Sequence, residues 1–167
     1  MAGRAPRRPF AADARDPGGR FAIAAARFHE GISKRLVDGA LTAFATHGVS
    51  AERVDVTWVP GSFELPQAAQ ILARTGRYRG VVCLGVVIRG ETPHFEHVSR
   101  TAAAGIGAVA LATEIPVTFG LITALTEEQA WARAGGAVGN RGEEAATAAV
   151  EMAAFARRAR GPRKRPR

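Results

Sequence analysis

The sequence holds a single cysteine, Cys83, among 167 residues. No disulfide can form within the chain, and a reducing compartment is the natural setting. Cys83 sits in an apolar run and reads as a core residue, not a nucleophile. No apolar stretch reaches the roughly 18 residues that span a bilayer. The nearest candidate, residues 101–113, is short and rich in Ala and Gly. The N-terminus has arginines but no apolar segment of the secretory kind. Asp13 and Asp16 weigh against an organelle transit peptide, so the expected location is the cytoplasm with no membrane association. There is no internal repeat.

Acidic residues are scarce at the two ends. The chain as a whole carries a formal +8, a balance that raises nucleic acid or an anionic surface as a partner. Residues 1–20 contain five Arg and two Asp, or +3, and residues 157–167 contain seven basic residues and no acid, or +7. The body between them has 11 basic and 13 acidic residues, or −2. The basicity therefore belongs to the ends. Residues 1–19 are expected as a flexible basic arm, 20–158 as one α/β domain, and 159–167 as a disordered basic tail. The arms can attract polyanions nonspecifically. A chain this long can bury a core of its own.

Within the body, apolar runs alternate with helical periodicity. Residues 21–26 read as a buried strand and 32–46 as a helix ended by His47-Gly48. Val54, Val56 and Trp58 alternate with polar residues as a second strand, broken by Pro60-Gly61; a helix follows from Leu65 to about Arg74. Residues 81–88 are almost wholly apolar and β-branched, the pattern of a parallel strand covered on both faces. A helix to about Ala112, a strand over 116–123, a helix from about Thr126 and a last helix over 143–158 complete the series. Glycines 135, 136 and 139 interrupt the stretch between the last two helices. Strand–helix alternation predicts a three-layer α/β/α sandwich around a mainly parallel, four-stranded sheet of flavodoxin-like type.

In such sheets ligands bind beyond the carboxyl ends of the strands. The segments expected there are Arg27-Phe28-His29-Glu30, Pro60-Gly61-Ser62-Phe63-Glu64 and Arg89-Gly90-Glu91-Thr92-Pro93-His94-Phe95. Residues 85–92 have the spacing of a nucleotide-triphosphate loop, but Glu91 stands where its lysine must be. What survives is a helix start able to hold one phosphate. Residues 105–110 imitate a dinucleotide fingerprint inside a helix, where the small residues more simply admit a neighbouring helix.

His94 reads either as a helix-start residue that packs or as a general acid–base group. Phe28 and Phe63 read either as core or as stacking walls for a planar heterocycle. Glu64 is either an acid favoured by the helix dipole or an acceptor for ligand hydroxyls. Arg133 is either a helix-end charge or a phosphate clamp. His94, His97 and Glu91 lack the further ligands a metal site needs. His29 and His47 read as surface or capping residues.

Four blocks in order carry a resemblance: Ala26-Arg27-Phe28, residues 59–66 (VPGSFELP), residues 84–95 (LGVVIRGETPHF) and Gly139-Asn140-Arg141-Gly142. Together they resemble the lumazine synthase family over about residues 21–158. The resemblance implies a transferase of riboflavin biosynthesis without metal or organic cofactor. It would condense 5-amino-6-(D-ribitylamino)uracil with 3,4-dihydroxy-2-butanone 4-phosphate to 6,7-dimethyl-8-ribityllumazine, phosphate and water. By the same resemblance Phe28 stacks on the pyrimidine, and Ser62, Phe63 and Glu64 hold the ring and ribityl chain. The backbone of Val86, Val87 and Ile88 binds the uracil edge, Glu91 and Thr92 meet the butanone phosphate, and His94 transfers protons. Phe119 and Arg133 come from a neighbouring subunit, Arg133 gripping phosphate, and Arg141 occupies a position usually held by Lys. His29 replaces a usual Asn, and His97 a frequent aromatic. The resemblance further implies pentamers with shared sites, an icosahedral capsid of sixty subunits in some members, and association with riboflavin synthase. A non-catalytic shell and a flavin-binding paralogue are the competing readings. Intact Phe28, Glu64, His94 and Arg133 favour catalysis.

Overall fold

A computed structural model describes residues 15–160. Four strands, β1 (Arg20–Ala26), β2 (Val54–Val59), β3 (Tyr78–Ile88) and β4 (Val117–Ala124), form one parallel sheet in the order β2-β1-β3-β4. Helix α1 (Glu30–Thr46) follows β1, α2 (Leu65–Arg74) follows β2, and α3 (His94–Thr113) follows β3. After β4 come α4 (Glu127–Ala132), a small antiparallel pair β5 (Ala134–Gly136) and β6 (Gly139–Asn140), and α5 (Arg141–Arg160). The expected three-layer sandwich is present.

Strand periodicity assigns the two faces. Phe21, Ile23 and Ala25 of β1, with Val82, Leu84 and Val86 of β3, pack beneath α1 and α5. Ala22, Ala24 and Ala26, with Val81, Cys83 and Val87, pack beneath α2 and α3. Because both faces are covered, β1 and β3 tolerate no polar alternation, which is why each reads as an unbroken apolar run. Phe21 meets Phe44 of α1 with ring centroids 4.9 Å apart, a tilted pairing that adds about 0.5–1.5 kcal/mol to the burial of the two rings. Gly105 of α3 admits α2: a Cβ there would lie 2.7 Å from Pro66. The false fingerprint is thus a helix-packing contact, as its composition suggests.

Several boundaries move. Helix α1 starts at Glu30, earlier than expected, and α5 starts at Arg141 and continues through Arg160, so residues 159 and 160 are helical. The hairpin β5–β6 stands where the glycines predicted only an interruption. Most of the arm expected over 1–19 and of the tail over 159–167 lies outside the described residues. The residues next to β1 are tied to the body: Arg53 bonds Asp16 at 2.5 Å, and Arg157 donates to the Pro17 carbonyl at 2.7 Å. Burial pushes the Asp16 carboxyl up, but hydrogen bonds from Arg53 and the Gly18 N–H outweigh it and hold the pKa below the usual value.

Candidate active site

The sheet order creates the site. The chain leaves β1 toward one face through α1 and leaves β3 toward the other through α3, so a crevice opens above the neighbouring ends of β1 and β3. Strand register deepens it. Pairing between β1 and β3 stops at Ala25 and Leu84, while β3 continues beside β4 to Ile88 and Ala124. Beyond Ala26 the chain follows β2 instead, with Arg27 N–H donating to Val59 at 2.8 Å and Phe28 N–H to Pro60 at 3.2 Å. The edge of β3 from Val86 to Ile88 that faces β1 is left without a strand partner, and there a planar ligand edge can hydrogen-bond as a strand would.

The resulting cleft has a volume of about 620 Å³, and its lining includes Phe28, Ser62, Phe63, Glu64, Val86, Val87, Ile88, Thr92 and His94. Phe28 and Phe63 are 68% and 56% exposed. The core reading of these two rings is excluded, and they stand as apolar walls. Ser62 is buried, and its hydroxyl approaches the Val86 carbonyl at 3.5 Å. It therefore supports the unpaired edge from below. Gly85 makes room for it, since a Cβ there would be 2.8 Å from the Ser62 oxygen. Glu64 ends a short 3-10 turn over Ser62–Glu64 that leads into α2. His94 is the first residue of α3, exposed toward the cleft, and no side chain caps that helix start. The N–H groups of its first turn can serve an anion. Glu91 is exposed and does not contribute to the lining, unlike Gly90 and Thr92 on either side.

Two further imidazoles line the same cleft, His29 and His97. His97 lies one turn beyond His94, a spacing that places both on one helix face; that spacing was the signal for it. His29 sits edge-on to Phe28, with ring centroids 4.8 Å apart. Its backbone is left-handed, with φ 58° and ψ 50°, and its carbonyl accepts from Ile32 and Ser33 N–H at 3.0 Å each. Asn and His are among the residues that enter that region with least strain. One backbone requirement thus accounts for both the usual Asn and the His found here.

The remaining candidates are elsewhere. Phe119, on the edge strand β4, and Arg133, just after α4, line a second cleft of about 570 Å³ with Thr123, Arg141 and Glu144. Arg133 donates to the Gln129 carbonyl at 3.0 Å, and its own carbonyl accepts from Arg141 N–H at 2.9 Å. Arg141 also pairs with Glu144. Within one chain, Arg133 and Phe119 do not join His94.

A family profile for 6,7-dimethyl-8-ribityllumazine synthase matches residues 18–157. The chain belongs to that family. Lumazine synthases are transferases of riboflavin biosynthesis, and the reaction is the condensation of ribitylaminouracil with butanone phosphate described above. The family typically assembles as pentamers. Among the described residues no three or more His, Cys, Asp or Glu side chains cluster as a metal site. No helix there is long and apolar enough to cross a membrane.

Proposed function

We propose that the cleft above β1 and β3 carries the lumazine synthase reaction, with the cleft beside β4 of an adjacent subunit completing it. The observation that supports this most is the convergence, in one cavity, of two exposed rings, an acidic turn, an unpaired strand edge and a histidine at an uncapped helix start. Phe28 stacks on the pyrimidine, and the backbone of Val86, Val87 and Ile88 binds its polar edge. Phe63 and Glu64 hold the ring and ribityl chain. Thr92 and the first turn of α3 hold the butanone phosphate, with Glu91 at the rim. Arg133 and Phe119 of the neighbour close over the phosphate and the ring.

The chemistry follows from these positions. The 5-amino nitrogen attacks the ketone carbon, and water leaves as the imine forms. A proton is lost next to the imine as the phosphate departs, and the ribitylamino nitrogen then closes the ring with loss of a second water. There is no net redox change. His94, at the start of α3 and facing the cleft, relays the protons as general acid and base. Arg133 and the helix-end N–H groups stabilise the departing phosphate, and the stacking walls hold two substrates together. The lone buried thiol suits a reducing compartment, consistent with action in the cytoplasm. Association with riboflavin synthase rests on the family resemblance.

The test mixes purified protein with both substrates and follows the absorbance and fluorescence of the lumazine. The expected result is a rate well above the uncatalysed condensation, reduced in His94→Ala. No acceleration by the wild-type chain would overturn the enzymatic reading.

A further inference from the structure

Arg133 is carried by a small and lightly anchored element. Helix α4 has six residues, too few for its own hydrogen bonds to keep it formed. Its amino end is tied by two side chains: Thr126 Oγ1 accepts from Gln129 N–H at 3.3 Å, and Gln129 Oε1 accepts from Leu125 N–H at 2.9 Å. Its carboxyl end meets the hairpin through backbone, Val138 N–H donating to the Ala132 carbonyl and Arg141 N–H to the Arg133 carbonyl, each at 2.9 Å. The one residue it buries in the core is Ala130, a single methyl group. These ties fix where α4 lies and constrain its rotation only weakly. The Arg133 guanidinium is itself bonded to α4, at the Gln129 carbonyl, so a rotation of the helix swings the fork with it.

Trp131 supplies the second anchor. It stands about 100° round the helix from Ala130. The edge of its indole faces the bare α-carbon of Gly31 in the first turn of α1, where an added Cβ would meet the ring at 3.5 Å. The indole N–H donates to Glu127 Oε1 at 3.2 Å, which holds the ring back along α4. The side chain is 41% exposed, so it adds little to the core, and what it fixes is local. Helix α1 also meets the hairpin: Arg35 lies beside Gly135, and its carbonyl accepts from Asn140 Nδ2 at 3.0 Å. The segment that carries Arg133 is therefore mounted on the helix whose preceding turn carries Phe28 and His29.

We infer, on the placing of Arg133 in the shared site proposed above, that Trp131 is a positioning residue: by docking α4 against α1 it aims the Arg133 guanidinium at the phosphate of the substrate held by the adjacent subunit. Pairing between a guanidinium and a phosphate is planar and directional. A fork that swings keeps its charge near the phosphate but loses the paired geometry, and a misplacement of about 1 Å in such a clamp can cost up to about a hundredfold.

Steady-state kinetics of the full-length protein, with each substrate varied in turn, tests this. Trp131→Ala should raise the KM for butanone phosphate about five- to tenfold, leaving the KM for ribitylaminouracil, the circular dichroism and the assembled mass unchanged. Trp131→Gln, a good helix former without a ring, should do the same, so the result does not depend on the folding of one variant. Trp131→Phe, which keeps a ring against Gly31, should restore most of the affinity. In an Arg133→Ala background Trp131→Ala should add nothing further, because the two act through one group. The inference is overturned if both ring-deleting variants leave the KM for butanone phosphate unchanged, or if they raise both KM values together, as a general loosening would. It is equally overturned if Trp131→Phe is as impaired as Trp131→Ala, or if the effects of Trp131→Ala and Arg133→Ala multiply. An Arg133→Ala variant with an unchanged KM for butanone phosphate would instead overturn the placing of Arg133 in the site, and the role of Trp131 with it.

Discussion

At the scale of single residues, the sequence located the chemistry better than it assigned it. Phe28 and Phe63 could be core or wall, because hydrophobicity alone does not say what lies beyond a strand end. The register stop after Ala25 and Leu84 decides it by leaving both rings beside an open crevice. The position of His29 was legible as a departure from a pattern, but its reason, a left-handed backbone, was not. Cys83 was read correctly, and its burial makes a prediction. Desolvation in the centre of β3 pushes the thiol pKa up to about 12, and the thiolate is the reactive form. Native protein at pH 8 should therefore not react with iodoacetamide over an hour, whereas in guanidinium the single thiol should alkylate fully. Comparable labelling in both states, read by mass spectrometry, would show that β3 opens or that the residue is not in the core.

Among the elements, the strands and long helices were legible because burial on two faces leaves long apolar runs and packing on one face leaves a helical period. The short pieces were not. β5 and β6 have three and two residues, too few for any period, and Glu114 ends α3 in a left-handed conformation without the glycine that would have announced it. The block Gly139-Asn140-Arg141-Gly142 was recognisable but its purpose was hidden. Asn140 Oδ1 accepts from Gly142 N–H at 2.8 Å and Glu143 N–H at 3.3 Å, capping α5, while its Nδ2 donates to the Arg35 carbonyl at 3.0 Å. Gly142 lies so close to α1 that an added Cβ would overlap the Leu36 carbonyl oxygen. The block is therefore a clasp between α1 and α5 that fixes Arg141 and the hairpin behind Arg133. Gly142→Ala should destabilise the protein by about 1–3 kcal/mol or more, as overpacking against rigid backbone does. Urea unfolding would show it as a lower midpoint at similar slope, and an unchanged midpoint would mean that the two helices separate freely.

For the molecule as a whole, what one chain leaves uncovered is as informative as what it buries. Val56 and Trp58 lie on the α1 face of edge strand β2, beyond the buried Val54, and each is 37% exposed. Leu111 on α3 and Phe119 on edge strand β4 are also exposed. Apolar surface on both sheet edges suits a ring, in which one edge region of each subunit meets a different region of the next. In the proposed arrangement the ring is also what joins His94 and Arg133, separate within one chain, in a common site. This division can be tested by complementation. His94→Ala should lose most activity through lost proton transfer, and Arg133→Ala should chiefly raise the KM for butanone phosphate. Mixed rings made by co-expressing the two variants contain some sites that combine the intact His94 of one subunit with the intact Arg133 of its neighbour. With random placement such sites number about one in four, so activity should return to roughly a quarter of wild type. The same variants purified apart and combined without exchange should show only the average of the two parents, all rates being read at butanone phosphate well below the KM of Arg133→Ala. If co-expressed rings of confirmed mixed composition show only the average of the two parents, each chain must complete its own site, and the second cleft does not serve its neighbour.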